Sequence, residues 1–211
     1  MNSTEKEIYY TINNSYSTLN EYSEDTKNVW FVCHGLGYLS RFFIRYFKGL
    51  NPTENFIIAP QAQSKYYLTN AYKHIGASWL TRENTAEETE NIMRYFDSIF
   101  EKEQLSKAQN LIVLGYSQGV SVAMRYLAKR KIQCSQLILH SGGIPKELTR
   151  DDFKFFKGEV KLIYGTKDEY LNDARMAQET TMANTLFPNN LTCIPFDGAH
   201  VVNVNLINQL V

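Results

Sequence analysis

The chain has 211 residues, 44% of them hydrophobic, and its 22 basic and 22 acidic side chains cancel to a formal charge of zero. The 14 tyrosines and 12 phenylalanines offset the entropy of ordering a backbone, which excludes a disordered chain and favours one cored domain over residues 1–211. Local patches aside, a neutral chain without a Lys/Arg stripe gives no electrostatic case for nucleic-acid binding.

Cys33, Cys134 and Cys193 are too few and too scattered for a disulfide framework or a thiolate metal site. Cys33 and Cys193 fall in apolar runs, where a buried thiol is expected. The opening MNSTEKEIYYTINNS has no apolar core, and no run is long enough to span a bilayer, so a cytoplasmic protein without a transmembrane segment is expected.

In chain order, EIYYTINNSYSTLNE has two β-prone halves around Asn13 and Asn14, which predicts a hairpin or two edge strands. VWFVCH, residues 29–34, is the unbroken apolar run of a strand buried on both faces, and FIIAP, ending at Pro60, is a second. FFIRYF after Ser40 suits a short helix between them. Residues 61–82 show no clean period and read as a cap over a site. Thr85 and Glu88 match a capping box, opening a helix with Ile92, Phe96, Ile99 and Leu105 on its apolar face.

From there strands and helices alternate: NLIVLGYS, VSVAMRYLAKR, QLILHSG, VKLIYGTKD, DARMAQETTMANTLF and LTCIPF. Such alternation predicts a parallel sheet with right-handed crossovers. VNVNLINQLV closes the chain as a helix, with Val204, Ile207 and Val211 spaced for one face.

The sharpest chemical signal is GYSQG, residues 115–119, which sets Ser117 between glycines, after a strand and before a helix. Glycines permit the tight bend that presents a serine hydroxyl at the sheet's C-terminal edge. A serine needs a base to accept its proton, and the base needs a carboxylate to hold its tautomer. His200 lies after the last strand and before the last helix, in the right place for the base, whereas His34, His74 and His140 suit supporting or surface roles. Asp168 ends the penultimate strand and is preferred over Glu169, Asp173 and Asp197 as the acid, giving the order Ser, Asp, His. Negative charge on a tetrahedral intermediate calls for two fixed amides: the N–H of Gln118 and, from the HGLG turn at 34–37, that of Leu36. No HExxH, phosphate-binding loop or dinucleotide fingerprint occurs, so no metal and no cofactor are expected.

Together these segments resemble the phospholipase/carboxylesterase group of α/β-hydrolases, which includes acyl-protein thioesterases. HGLG is similar to that group's HGxG, AP at 59–60 to its strand-end AP, SW at 78–79 to its cap tryptophan region, and GYSQG to its GFSQG. HSGGIP at 140–145 resembles LSGxLP, YGTKDEYL at 164–171 resembles HGxxDxxVP, and GAH at 198–200 resembles GxxH in shortened form. The resemblance runs from about residue 29 to the end. It implies an α/β-hydrolase fold, with a mostly parallel sheet, helices on both faces and a small cap, and Ser117, Asp168 and His200 as nucleophile, acid and base.

It further implies cleavage of a small-molecule ester or thioester through an acyl-enzyme. Tyr66, Tyr67, Leu68, Trp79 and Leu80 are expected either to line an apolar acyl pocket or to pack the cap onto the sheet. The small cap suggests a short or medium acyl chain. A peptidase or amidase on the same residues, or a noncatalytic binding protein with this fold, are the competing readings.

Overall fold

A computed structural model describes residues 3–211. The chain runs through β1 (Tyr16–Leu19), β2 (Asn28–Cys33), α1 (Ser40–Phe43) with a following 3₁₀ turn (Ile44–Phe47), β3 (Asn55–Pro60), β4 (Ser64–Tyr67) and β5 (Ile75–Ser78). It continues through α2 (Thr85–Lys102), β6 (Leu111–Tyr116), α3 (Gln118–Arg130), β7 (Gln136–His140), β8 (Glu159–Gly165), α4 (Asp173–Leu186), β9 (Leu191–Phe196) and α5 (Val204–Asn208).

Seven strands form one sheet in the order β1-β3-β2-β6-β7-β8-β9, parallel throughout except for β1, which pairs antiparallel with β3. Side chains alternate across a strand, and here both sets are apolar. Phe31, Val113, Leu139 and Leu162 point into a core shared with α2, α3 and α4. Trp30, Val32, Ile112, Leu114 and Ile138 point into a second core under α1, its 3₁₀ turn and α5. Burial on both faces is why these strands read as continuous apolar runs. Each fully buried Leu, Ile, Val or Phe among them adds about 1.5–3 kcal/mol of transfer free energy. The strand order reverses direction between β2 and β6, so the loops after those two strands diverge at the sheet's C-terminal edge and open a crevice there.

Five expectations need correction. Residues 3–15 form no strand, and Ile8, Tyr9, Tyr10 and Ile12 are exposed. A two-stranded hairpin gains too little alone in water, and only Tyr16–Leu19 finds a sheet edge. The capping box does not form: Asn84, at φ 46°, precedes the helix, and Thr85 donates its hydroxyl to Thr81 O instead. Leu105 falls in a separate 3₁₀ turn beyond α2, though it is buried. Cys193 is exposed, because β9 is the edge strand of the sheet.

The terminal helix shortens to five residues that bury Ile207; Val202 and Leu210 bury themselves outside it and Val211 stays exposed. Within 61–82, β4 and β5 form a separate antiparallel hairpin, pairing Ser64 with Ser78 and Tyr67 with Ile75. Among the described residues no helix is long and apolar enough to cross a membrane, and no cluster of His, Cys, Asp and Glu is arranged to hold a metal.

Candidate active site

Ser117 sits between β6 and α3 with φ 53° and ψ −119°, a conformation that costs a non-glycine residue about 1–3 kcal/mol. The strain is held from both sides. Ser117 N–H donates to His140 O at 2.9 Å, and Ser117 O accepts from Val120 N–H at 3.1 Å. Gly119 lets α3 start directly against β2: a Cβ there would lie 2.0 Å from Cys33 O, an overlap with backbone that no side chain can relieve.

Three side chains meet at this bend. His200, on the loop between β9 and α5, has Nε2 3.0 Å from Ser117 Oγ and Nδ1 2.7 Å from Asp168 Oδ2. The carboxylate fixes the imidazole's hand: Nδ1–H donates to Asp168, which leaves Nε2 free to accept the Ser117 proton. Asp168 has a fully buried side chain, and its other oxygen accepts the N–H groups of Tyr170 (2.9 Å) and Leu171 (3.0 Å). The competing carboxylate Asp197 is exposed and pairs with Lys167.

The HGLG turn closes over the same point. A Cβ on Gly35 would stand 3.1 Å from Ser117 Cβ, and Gly37, at φ 82°, turns the chain so that its N–H donates to Ala77 O at 2.9 Å. Between them, Leu36 N–H has no acceptor among the described residues, and neither has Gln118 N–H at the first position of α3. Two unpaired amides thus flank the hydroxyl. His34 holds the turn: buried, it donates Nδ1–H to Gly35 O at 2.7 Å and accepts Ala62 N–H at Nε2, 3.1 Å.

His140 is equally enclosed, donating Nδ1–H to Ser141 Oγ at 3.0 Å and accepting Asn203 N–H at Nε2, 3.0 Å. Burial depresses both imidazoles, His34 to about 4 and His140 to about 3, the latter helped by repulsion from His200. Both are therefore neutral struts at pH 7. His74, by contrast, lies exposed on the turn between β4 and β5.

The chamber beside Ser117 has a volume of about 250 Å³ and is lined by Ser121, Ser141, Gly142, Gly143, Tyr170 and Leu171. None of the five expected pocket residues lines it. Trp79 is buried against His34 and Phe96 and donates its indole N–H to His34 O at 2.8 Å, so it packs the core. Tyr66, Tyr67 and Leu68 are exposed on the cap, and half-buried Leu80 offers its carbonyl to Gln118. The wall instead comes from the HSGG turn, whose small side chains carry no apolar signal, and from Tyr170 and Leu171 after Asp168.

The family profile for Phospholipase/Carboxylesterase matches residues 14–208. The chain belongs to that family. No curated protein matches its sequence. Among solved structures, a phospholipase/carboxylesterase from Dyadobacter fermentans is 19% identical, with TM-score 0.68 over 96% of this chain and 98% of that one. Acyl-protein thioesterase 2 from Zea mays is 15% identical, with TM-score 0.69 over 94% and 96%. Esterase PE8 is 19% identical, with TM-score 0.69 over 94% and 97%. At such identity the structural likeness shows the α/β-hydrolase fold alone.

Two local contacts brace the bend from either side. Where the family's GFSQG pattern has phenylalanine, Tyr116 donates its hydroxyl to His200 O at 3.0 Å, and the rings stand 5.4 Å apart. That tie steadies the loop that carries His200, which is one residue shorter than the GxxH pattern it resembles. The Gln118 side chain clamps the cap: Oε1 accepts Trp79 N–H at 2.8 Å, while Nε2 donates to Leu80 O at 2.7 Å and Ser78 Oγ at 3.1 Å. Neither contact has a signature in spacing, because both depend on which backbone atoms the loops bring within reach.

Proposed function

We propose that the chain is a serine hydrolase that cleaves carboxylic esters through an acyl-enzyme, with Ser117 as nucleophile, His200 as base and Asp168 as acid. The observation that carries this reading is the unbroken hydrogen-bond chain from Asp168 Oδ2 through His200 to Ser117 Oγ. Ser117 Oγ attacks the ester carbonyl carbon as its proton passes to His200 Nε2, and buried Asp168 stabilises the resulting imidazolium. The oxyanion receives the free N–H groups of Leu36 and Gln118, which are fixed before the reaction and need no reorganisation. His200 then protonates the departing alcohol, and in the second half it takes a proton from water as the water attacks the acyl-serine, releasing the acid and restoring Ser117.

Neutral His34 and His140 add no competing positive charge beside the imidazolium. The small chamber walled by Ser141, Gly142 and Gly143 suits a short or medium acyl group. Carboxylic esters are the proposed class, with thioesters and amides as the alternatives on the same residues.

A fluorophosphonate probe tests the nucleophile: labelling of the wild type, absent from Ser117→Ala, together with turnover of p-nitrophenyl acetate or butyrate, is the expected result. A folded wild-type sample that neither labels nor turns over any ester, thioester or peptide would make it a binding protein. Activity that rises steadily with acyl length beyond medium chains would overturn the chain-length assignment.

A further inference from the structure

The zero net charge conceals a sharp asymmetry. Residues 26–82 contain seven Lys and Arg but a single acid, Glu54, and that acid is paired with Lys27. The remainder of the chain carries the compensating acidic excess. Arg41, Arg45, Lys48, Lys65, Lys73 and Arg82 are all exposed and make no salt bridge among the described residues.

Apolar side chains are misplaced in the same region. Phe42, Tyr66, Tyr67, Leu68, Tyr72 and Ile75 stand between 39% and 71% exposed, on α1 and the β4–β5 hairpin. Two cations meet these side chains in one groove of about 340 Å³, where Arg41 and Lys73 accompany Phe42, Leu68 and Ile75 and no carboxylate contributes to the lining. The guanidinium groups of Arg41 and Arg45 lie 5.0 and 4.9 Å from the Phe42 ring centroid, so charge and apolar surface are interleaved rather than segregated. The groove also includes Gly37, beside the free Leu36 amide.

We propose that the face formed by α1, its 3₁₀ turn and the β4–β5 hairpin docks on an anionic lipid surface. Burying six bulky apolar side chains needs a partner that accepts them, and unpaired cations around them need that partner to be negative; an anionic bilayer meets both requirements at once. Aromatic rings such as Tyr67 and Tyr72, polar at one end and apolar along the ring, suit the headgroup boundary. Docked in this way, the groove faces the lipid. A soluble acidic protein would satisfy the cations, but it offers no hydrocarbon for the hairpin. The inference concerns binding and does not depend on the hydrolase reading.

Cosedimentation of the full chain with phosphatidylcholine vesicles, with and without phosphatidylglycerol, tests it independently of any activity. Binding is expected to require phosphatidylglycerol and to weaken at high salt. Arg41→Gln with Lys73→Gln should reduce partitioning by roughly 25-fold, about fivefold for each cation removed from the surface. Phe42→Ser with Leu68→Ser should reduce it at high salt as well as low. Lys146→Gln with Lys157→Gln, exposed cations elsewhere, should leave it unchanged, and circular dichroism checks that each variant is folded. Equal binding to neutral vesicles, no binding to either, or binding indifferent to Arg41 and Lys73 would overturn the proposal. So would protection by inorganic phosphate without vesicle binding, which would make the groove a site for soluble anions.

Discussion

The side of the candidate site that carries His200 and the β4–β5 hairpin are held by different physics. Around His200, almost every polar group is buried and answered: Asp168 takes three hydrogen bonds, His140 two, and Tyr116 reaches across to the His200 carbonyl. The β4–β5 hairpin is exposed along β4, belongs to a sheet of its own, and joins the site through Gly37 N–H and the Gln118 amide. Local stability follows buried contacts. The chamber beside Ser117 is therefore walled by the densely bonded side, while the hairpin is tied down at a few points.

Substitutions can break that contrast in order of size. Ser117→Ala or His200→Ala should each lower kcat by about 10⁶-fold, because members of such a unit fail together. Stopped assays with a chromogenic ester measure this, and for Ser117→Ala the melting temperature should barely move. Asp168→Asn should cost about 10⁴-fold by reversing the imidazole tautomer; near-normal turnover would move the acid to a neighbouring carboxylate.

Acid should weaken the densely bonded side itself. His34 and His140 have folded pKa values near 4 and 3, below the ordinary 6.5, so the unfolded chain binds more protons in that interval. Their contribution to stability is complete above pH 6.5 and is lost as pH falls towards 4, by up to about 1.4 kcal/mol per pH unit for each imidazole. Urea midpoints measured across that range check the sign.

Gln118→Ala removes the clamp while preserving its backbone N–H. It should lower kcat about 10-fold and stability by about 1–3 kcal/mol, since Trp79 N–H loses its acceptor; a Glu in its place keeps the acceptor but not the donor, and should rescue only part. Tyr116→Phe should be mildest, costing about 0.5–1.5 kcal/mol. Its effect should fall on kcat rather than KM, and an unchanged kcat would mean the base loop stands without the tie.

Much of this contrast was legible in sequence. Doubly buried strands announce themselves as apolar runs, and Ser117, Asp168 and His200 lie where a sheet edge must gather them. The cap was not legible, since β4 gains its form from pairing with β5 rather than from a buried face of its own. Trp79 illustrates the difficulty: a tryptophan beside a site reads equally as a ligand wall or a core filler, and only its hydrogen bond to His34 O decides for the core. Thr85 misled for a related reason. Its residue type fits a cap, but the left-handed Asn84 moved the helix start by one position.

Gln118 joins jobs that are often kept apart, since its backbone N–H stands free beside Ser117, where the proposed oxyanion would lie, and its side chain anchors the chain at 78–80. Anyone transplanting a larger lid onto this scaffold inherits that double duty. A graft that alters the backbone at Trp79 or Leu80 will be felt at the elbow, so rebuilding of the hairpin should begin at its tip and leave its root untouched.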